Sequence, residues 1–352
     1  MSDKHPTEIH KHLVWPVLAI GAVTLVVMGL YIAQSRGAFE RHARVAILTW
    51  NEDPFWDPTE KGAQDAAHEF GVDLTFVRSK PDVAVQTQHL KDLIAAGNNG
   101  IAISPKDPVQ QQQALDDASS KVTLVTFDSD APNSKRRGFI GTDDYAAGQV
   151  AAEQVREAFP QGAKVIITVG SVAMQNGQDR RQGVIDDLLD RTFKRGRPVE
   201  PMSGPIKGKD YEIVATLTDD GDTGVAVKQL ADALKANPQV NCVVGLFSYN
   251  GVAAVKAVDQ AGRKGQVKII GFDESAEEQA AVEAGDIYSS VLQDQYRCGY
   301  ETVRVLSDIY KGVEQGGAVG PRMVALPILV MKPEFIKELR ANHIIRDVPA
   351  AK

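Results

Sequence analysis

The chain has 352 residues, a formal net charge of −7 and few aromatic side chains, 6% of the total. That length admits two lobes with separate cores. The acidic balance offers no basic stripe to neutralise phosphates, which argues against a nucleic-acid partner.

Residues 1–43 read as an N-terminal signal anchor and linker outside the fold. Leu13–Ala33 runs for 21 residues without a charge, enough to cross a bilayer as a helix and longer than a usual signal-peptide core. An uncleaved membrane anchor is favoured over a cleaved signal processed near Ala38. Either way the remainder is expected to be exported, on the extracytoplasmic side.

From Arg44 strands and helices alternate with short connections. Strands are predicted at Val45–Trp50, Val72–Val77, Gly100–Ser104 and Val122–Phe127, with helices over Thr59–Phe70, Val83–Ala96 and Val109–Ser119 between them. Phe139-Ile-Gly is a short extended piece that leads to Thr142-Asp-Asp, where a capped helix opens. The rhythm then restarts. Strands fall at Lys164–Val169, Glu212–Leu217, Val240–Phe247, Val267–Phe272 and Ile287–Leu292. Helices fall at Asp179–Leu189, Val225–Ala236, Val252–Ala261, Glu277–Ala284 and Tyr296–Tyr310. A last strand, Val324–Val330, precedes a short helix begun at Pro333. Strands separated by helix-length patterns imply right-handed crossovers and covered parallel sheets, an α/β fold. Cys242 and Cys298 are expected to be free and buried.

Five predicted strand ends carry polar or aromatic residues at the edge where open α/β sheets bind ligands. They are Asn51-Glu-Asp-Pro-Phe-Trp56, Ser104-Pro-Lys-Asp107, Asp128-Ser-Asp130, Ser248-Tyr-Asn250 and Asp273-Glu-Ser275. Any one alone reads as a cap or a turn. Together they favour a site for a polar ligand. Asp and Asn each engage two hydroxyls, and Phe55 and Trp56 offer apolar faces to sugar C–H patches. No nucleophile elbow, phosphate-binding glycine loop or dinucleotide fingerprint occurs, and no histidines stand at zinc-site spacing. The reading is therefore of a protein that is not an enzyme, with no catalytic residue, no metal and no cofactor.

Arg44-Val-Ala-Ile-Leu-Thr, Asp53-Pro-Phe-Trp56, the Asp128 segment, Gln178-Asp-Arg-Arg-Gln-Gly183, Gly245-Leu-Phe-Ser-Tyr-Asn-Gly251, Ile270-Gly-Phe-Asp273 and Val291-Leu-Gln293 occur in that order. As a set they resemble the ribose-type periplasmic sugar-binding proteins, the receptors of ATP-binding-cassette importers. The resemblance runs from about Arg44 to the end of the chain. It implies two Rossmann-like lobes joined by three hinge crossings near Thr142, Gln293 and Arg322, which close on a sugar. The first lobe would comprise 44–142 and 294–322, the second 143–293 and 323–341, with 342–352 as a tail. Carried over, Phe55 and Trp56 would stack on the sugar beside Asp53, Asp128 and Asp273 would take hydroxyl pairs, and Asn250 and Gln293 would add hydrogen bonds. Arg180 matches an arginine typical of the family, and Ser104 lies at a strand tip of the cleft. Gln178 and Ser129 stand where ribose binders have arginines, and an aromatic is missing around Gly221. Those departures leave pentoses, hexoses and polyols open as ligands. A monomer serving an importer permease is expected. The alternative is a sensory module that reports a sugar or furanosyl signal molecule to a membrane partner.

Overall fold

The computed structural model describes residues 23–29, 42–192, 199–313, 322–341 and 344–345. The chain divides into an N-terminal unit, Met1–His42, and a compact unit, Ala43–Lys352. In the first unit residues 23–29 are helical. Among the described residues no helix is long and apolar enough to cross a membrane. Most of the expected span, Leu13–Ala33, lies outside them, as does most of the expected tail.

The compact unit begins with β1 (Ala43–Leu48), α1 (Asp57–Phe70), β2 (Val72–Val77), α2 (Val83–Ala95), β3 (Gly100–Ile103), α3 (Gln112–Ser119), β4 (Thr123–Phe127) and β5 (Gly138–Thr142). The chain crosses through α4 (Asp144–Ala158) into β6 (Lys164–Val169), α5 (Gln175–Leu188), β7 (Ile206–Lys207), β8 (Glu212–Thr218), α6 (Thr223–Ala236) and β9 (Cys242–Gly245). Then follow α7 (Asn250–Gln260), β10 (Lys268–Phe272), α8 (Ala276–Ala284), β11 (Ser289–Gln293), α9 (Gln295–Lys311), β12 (Arg322–Leu326), β13 (Ile328–Met331) and α10 (Ile336–Ala341).

Two sheets result. The first has the order β12-β5-β4-β3-β1-β2, and the second β13-β11-β10-β9-β6-β8-β7. All pairings of the first are parallel. The second is parallel apart from its two edges, β7 with β8 and β13 with β11. Central strands such as Val165–Val169 are buried at every position, as the continuous apolar runs of a sheet covered on both faces require. Each sheet reverses its strand order beside its first strand, between β1 and β3 and between β6 and β9. These switch points are where ligands bind in such folds. Cys242 and Cys298 are free and buried.

Three expectations need correction. Val324–Val330 is not one strand. Leu326 pairs with Thr142 in the first sheet and Ile328 with Gln293 in the second, so the chain changes sheets at Pro327. Proline lacks the N–H that a continuous ladder would use. The chain therefore passes between the sheets at Pro327, beyond Arg322, and β12 belongs to the first sheet. The helix expected from Val109 starts at Gln112, because the Asp107 carboxylate accepts from Val109 N and Gln110 N and holds a turn there. The helix expected from Asp179 starts at Gln175, in a polar stretch without apolar period.

Candidate functional site

The tips of β1, β4, β6, β8, β9, β10 and β11 surround a cavity of about 440 Å³ including its opening to solvent. The first lobe contributes Trp50, Asn51, Asp53, Phe55 and Asp128. The second contributes Asn176, Arg180, Gly221, Phe247, Ser248, Tyr249 and Asp273, and the crossing strand contributes Gln293.

The two buried carboxylates occupy matching places. Asp128 follows β4 with φ 59°, and Asp273 follows β10 with φ 67°. A left-handed backbone is uncommon for a residue with a Cβ, and such strain clusters where a side chain must be aimed. Asp128 N donates to Ile140 O at 3.1 Å and Asp273 N to Val291 O at 2.7 Å, so each neighbouring strand holds the bend. Ser104 Oγ donates to Asp128 Oδ2 at 3.0 Å, and Gln295 Nε2 donates to Oδ1 at 3.3 Å. Gln293 Nε2 donates to Asp273 Oδ1 at 2.9 Å. Burial raises the pKa of Asp128, and it raises that of Asp273 to about 6 against the pull of Arg180.

Arg180 sits between them, 2% exposed. Its Nε donates to Asp144 Oδ1 at 2.7 Å, Nη1 to Leu246 O at 2.9 Å and Nη2 to Gln293 Oε1 at 2.7 Å. The guanidinium lies 4.5 Å over the Phe272 ring. Of five N–H groups, three are taken by these partners, and one on each terminal nitrogen has no partner among the described residues. Burial pushes Asp144 up to about 8, since Arg180 also serves Asp128 and Asp273 and cannot neutralise all three. The far wall is tied down by Asp219, which accepts from Tyr249 OH and, at 3.2 Å, from Asn250 Nδ2.

Of the residues singled out in the sequence, Asp53, Phe55, Asp128, Arg180, Asp273 and Gln293 line this cavity. Trp56 does not. It is fully buried behind the wall, its Nε1 donates to Asn51 Oδ1 at 2.6 Å, and its ring meets Phe55 and Phe127 edge-on. Asn250 is also behind the wall. Its Oδ1 accepts from Phe247 N at 3.0 Å, and its neighbour Tyr249 takes the lining position. Ser104 supports Asp128 from beneath. Ser129 is buried with no partner for its hydroxyl among the described residues, and Gln178 is half-buried outside the lining. Trp50 falls inside a predicted strand, although β1 stops at Leu48. Phe247 ends the strand expected at Val240–Phe247 and lies in the Gly245–Gly251 motif, though nothing there marks it as lining. Asn176 carries no signal apart from its place before an expected helix. Asp144 and Gln295 show only as helix-opening residues, yet they reach Arg180 and Asp128.

Residues 45–314 match the periplasmic binding protein domain family. The D-allose-binding periplasmic protein of Escherichia coli is 27% identical over 305 residues, covering 84% of this chain and 91% of that protein. A solute-binding protein of an ABC transporter from Burkholderia graminis, solved with D-arabinose, superposes with a TM-score of 0.74 at 25% identity, covering 84% of this chain and 98% of that one. A glucose-galactose binding protein from Geobacillus stearothermophilus gives 0.74 at 26% identity, over 84% and 99% of the two chains.

Proposed function

The chain belongs to the periplasmic binding protein domain family, and from that premise we propose that it captures a monosaccharide or polyol between its lobes and delivers it to an ATP-binding-cassette importer. The carrying observation is the convergence of Asp128, Asp273 and Arg180 on one polar cavity, with both carboxylates held in left-handed backbone at matching strand tips. Sugar hydroxyls both donate and accept. Carboxylates take their protons, and the spare N–H groups of Arg180 and the Asn176 amide meet their oxygens. Trp50, Phe55, Phe247 and Tyr249 supply apolar faces for the ring. The protein binds its ligand without turnover, as the family does.

The proposed ligand set is Asp53, Phe55, Asp128, Arg180, Asp273 and Gln293 together with Trp50, Asn176 and Tyr249. The proposed lobes are 44–142 with 294–326, and 143–293 with 327–341, following the sheet to which each strand belongs. Closure by hinge motion then completes contacts from both lobes at once. The protein acts as a monomer outside the cytoplasm, tethered by an N-terminal helix. The uncharged stretch Leu13–Ala33 and the exposed Val23, Leu25, Val26, Val27 and Met28 support the tether. The tether is tested by membrane partition after a high-salt wash. A soluble protein with a new N-terminus near Ala38 would reject it.

A thermal-shift screen of the purified protein against pentoses, hexoses and polyols tests the ligand class. A sugar at a hundredfold its Kd adds about 2.7 kcal/mol of stability. Loss of binding in Asp273→Ala with an unchanged fold supports the site, and wild-type affinity in that variant rejects it.

A further inference from the structure

Trp50 is 8% exposed although it stands at the tip of β1, facing the interlobe gap. Lys106 Nζ lies 5.1 Å over one side of its ring. The ring's outer edge comes close to Gly221, in the second lobe, and both residues line the same cavity. A Cβ built on that glycine would fall 3.7 Å from Cη2 and 3.9 Å from Cζ3. Gly221 has φ 90°, a conformation that side chains rarely adopt, so no side chain of residue 221 stands between the ring and the opposite wall.

Both partners are held by their own lobes. Gln86 Nε2 donates to Thr49 O at 2.9 Å and Ser104 O at 2.8 Å, and Gln86 Oε1 accepts from Lys106 N at 3.1 Å. One buried amide therefore ties the loop of Trp50 to the loop of the lysine that covers it. Across the gap, Gly221 N donates to Asp219 Oδ1 at 2.9 Å, and Asp220 N donates to Gly170 O at 2.7 Å. Asp219 is the group that also accepts from the Tyr249 hydroxyl in the cavity wall.

The position of this contact matters. The three crossings leave from β5, β11 and the junction of β12 with β13, all on one side of the two sheets. Trp50 follows β1 and Gly221 follows β8, on the side away from the crossings. A contact remote from the hinge is broken early when the lobes swing apart.

We propose that Trp50 is a closure latch. It docks its ring edge on the Gly221 backbone when the lobes meet, and it sets how long the closed state, and so a bound sugar, persists. This rests on the reading of the protein as a two-lobed sugar receptor. Trp50 acts as a positioning residue for closure, with Gly221 as its seat and Lys106 as its backing.

The test compares the full-length protein with Trp50→Ala and Trp50→Phe. Spin labels at Val109→Cys in the first lobe and Val225→Cys in the second, both exposed sites, give the interlobe distance distribution. The native cysteines are buried. Distances are recorded without sugar and with D-allose or D-arabinose at saturation, and sugar release is followed by stopped flow. Removing an apolar contact made in the closed state should speed release roughly tenfold in Trp50→Ala with little change in association. It should also deplete the short-distance population, and Trp50→Phe should fall between. Because Trp50 also lines the sugar cavity, faster release with an unchanged sugar-free distance distribution would assign it to the sugar alone and overturn the latch. Release rates within twofold of wild type and an unchanged closed fraction overturn the latch. If neither sugar binds wild type, the sugar assignment is at fault, and the sugar-free distances still judge the latch. A depleted short-distance population in Trp50→Ala then supports it, and a wild type without such a population rejects it.

Discussion

The helix pair that opens the second lobe and the pair that covers the first are built on one plan. In the second, α4 packs on α5. In the first, α9 packs on α1. Asp143 N-caps α4 by accepting from Ala146 N, and Asp294 N-caps α9 by accepting from Arg297 N. Asp143-Asp-Tyr145 with Gly148 thus repeats as Asp294-Gln-Tyr296 with Gly299. Tyr145 OH donates to Asp186 at 3.1 Å and Tyr296 OH to Asp65 at 2.9 Å. A Cβ on Gly148 would collide with Arg180 O and one on Gly183 with Tyr145 O. In the other pair Gly299 faces Thr59 O, and Gly62 faces Tyr296 O. The backbone frame is duplicated, but the group it presents to the cavity is not. Where the second lobe joins Asp144 to Arg180, the first joins Gln295 to Thr59, whose hydroxyl donates to Oε1 at 3.0 Å. The same geometry carries an ion pair on one side and a neutral hydrogen bond on the other.

The sharpest way to break that comparison is to remove the cation. Arg180→Met removes the counter-charge from Asp128 and Asp273 and the donor from Asp144. Breaking a buried pair by deleting one partner costs roughly 3–5 kcal/mol. Urea unfolding should show a loss of that order, and a loss below about 1 kcal/mol would mean the carboxylates simply take up protons. The shared frame is tested next by Gly148→Ala and Gly299→Ala. Each forces a methyl against a backbone oxygen, and overpacking of this kind costs roughly 1–3 kcal/mol. The two should cost similar amounts. A tolerated alanine in one lobe would show that its helices can part and that the two frames are not equivalent.

Much of this frame is legible in the sequence. The continuous apolar runs and the capping residues give most of the strands and helices, and the polar strand ends give the side of the sheets where Asp128 and Asp273 gather. Two kinds of feature escape that reading. Side chains one position apart at a helix start, such as Tyr249 and Asn250, differ only in direction, and α7 turns Asn250 inward to its own backbone while Tyr249 faces the cavity. Trp56 and Trp50 exchange roles for a similar reason. The 3-10 turn Pro54–Trp56, capped by Asp53, rotates the second aromatic into the core, whereas the early end of β1 leaves Trp50 at the cleft. Pairings such as Gln295 with Asp128 join residues far apart in the chain, and no local period encodes them.

The ionic lobe should also answer to pH where the neutral pair does not. Asp144 is raised to about 8 and Asp273 to about 6, in both cases chiefly by burial. Both bind protons more tightly folded than unfolded. Their contribution to stability is therefore full below the ordinary carboxyl range and is lost as pH rises through about 6 and then about 8. Thermal unfolding of the sugar-free protein between pH 5 and pH 8.5 should show a loss on the order of 2 kcal/mol, well short of the full linkage at about 1.4 kcal/mol per tenfold change in proton affinity. Asp144→Asn should flatten the upper part of that slope. A stability that rises steadily over this range would mean that Arg180 keeps all three carboxylates ionised.

The smallest effect belongs to the neutral pair and isolates what it does. Thr59→Val keeps the shape and removes one donor, leaving Gln295 Oε1 buried and unpaired at about 1 kcal/mol. Gln295 Nε2 still donates to Asp128, so the cavity carboxylate keeps both of its partners. Gln295→Leu goes further, because Asp128 then retains Ser104 alone and a buried charge loses a donor worth roughly 1.5–3 kcal/mol. The pair should therefore rank Thr59→Val below Gln295→Leu, and both below Arg180→Met. The double variant Thr59→Val with Gln295→Leu should cost no more than Gln295→Leu alone, since the valine then packs against an apolar neighbour in place of an orphaned oxygen. Equilibrium unfolding of the four proteins checks the order. If Thr59→Val cost as much as Arg180→Met, the difference between ionic and neutral lobes would carry no energetic weight, and the duplicated frame alone would account for the stability of both.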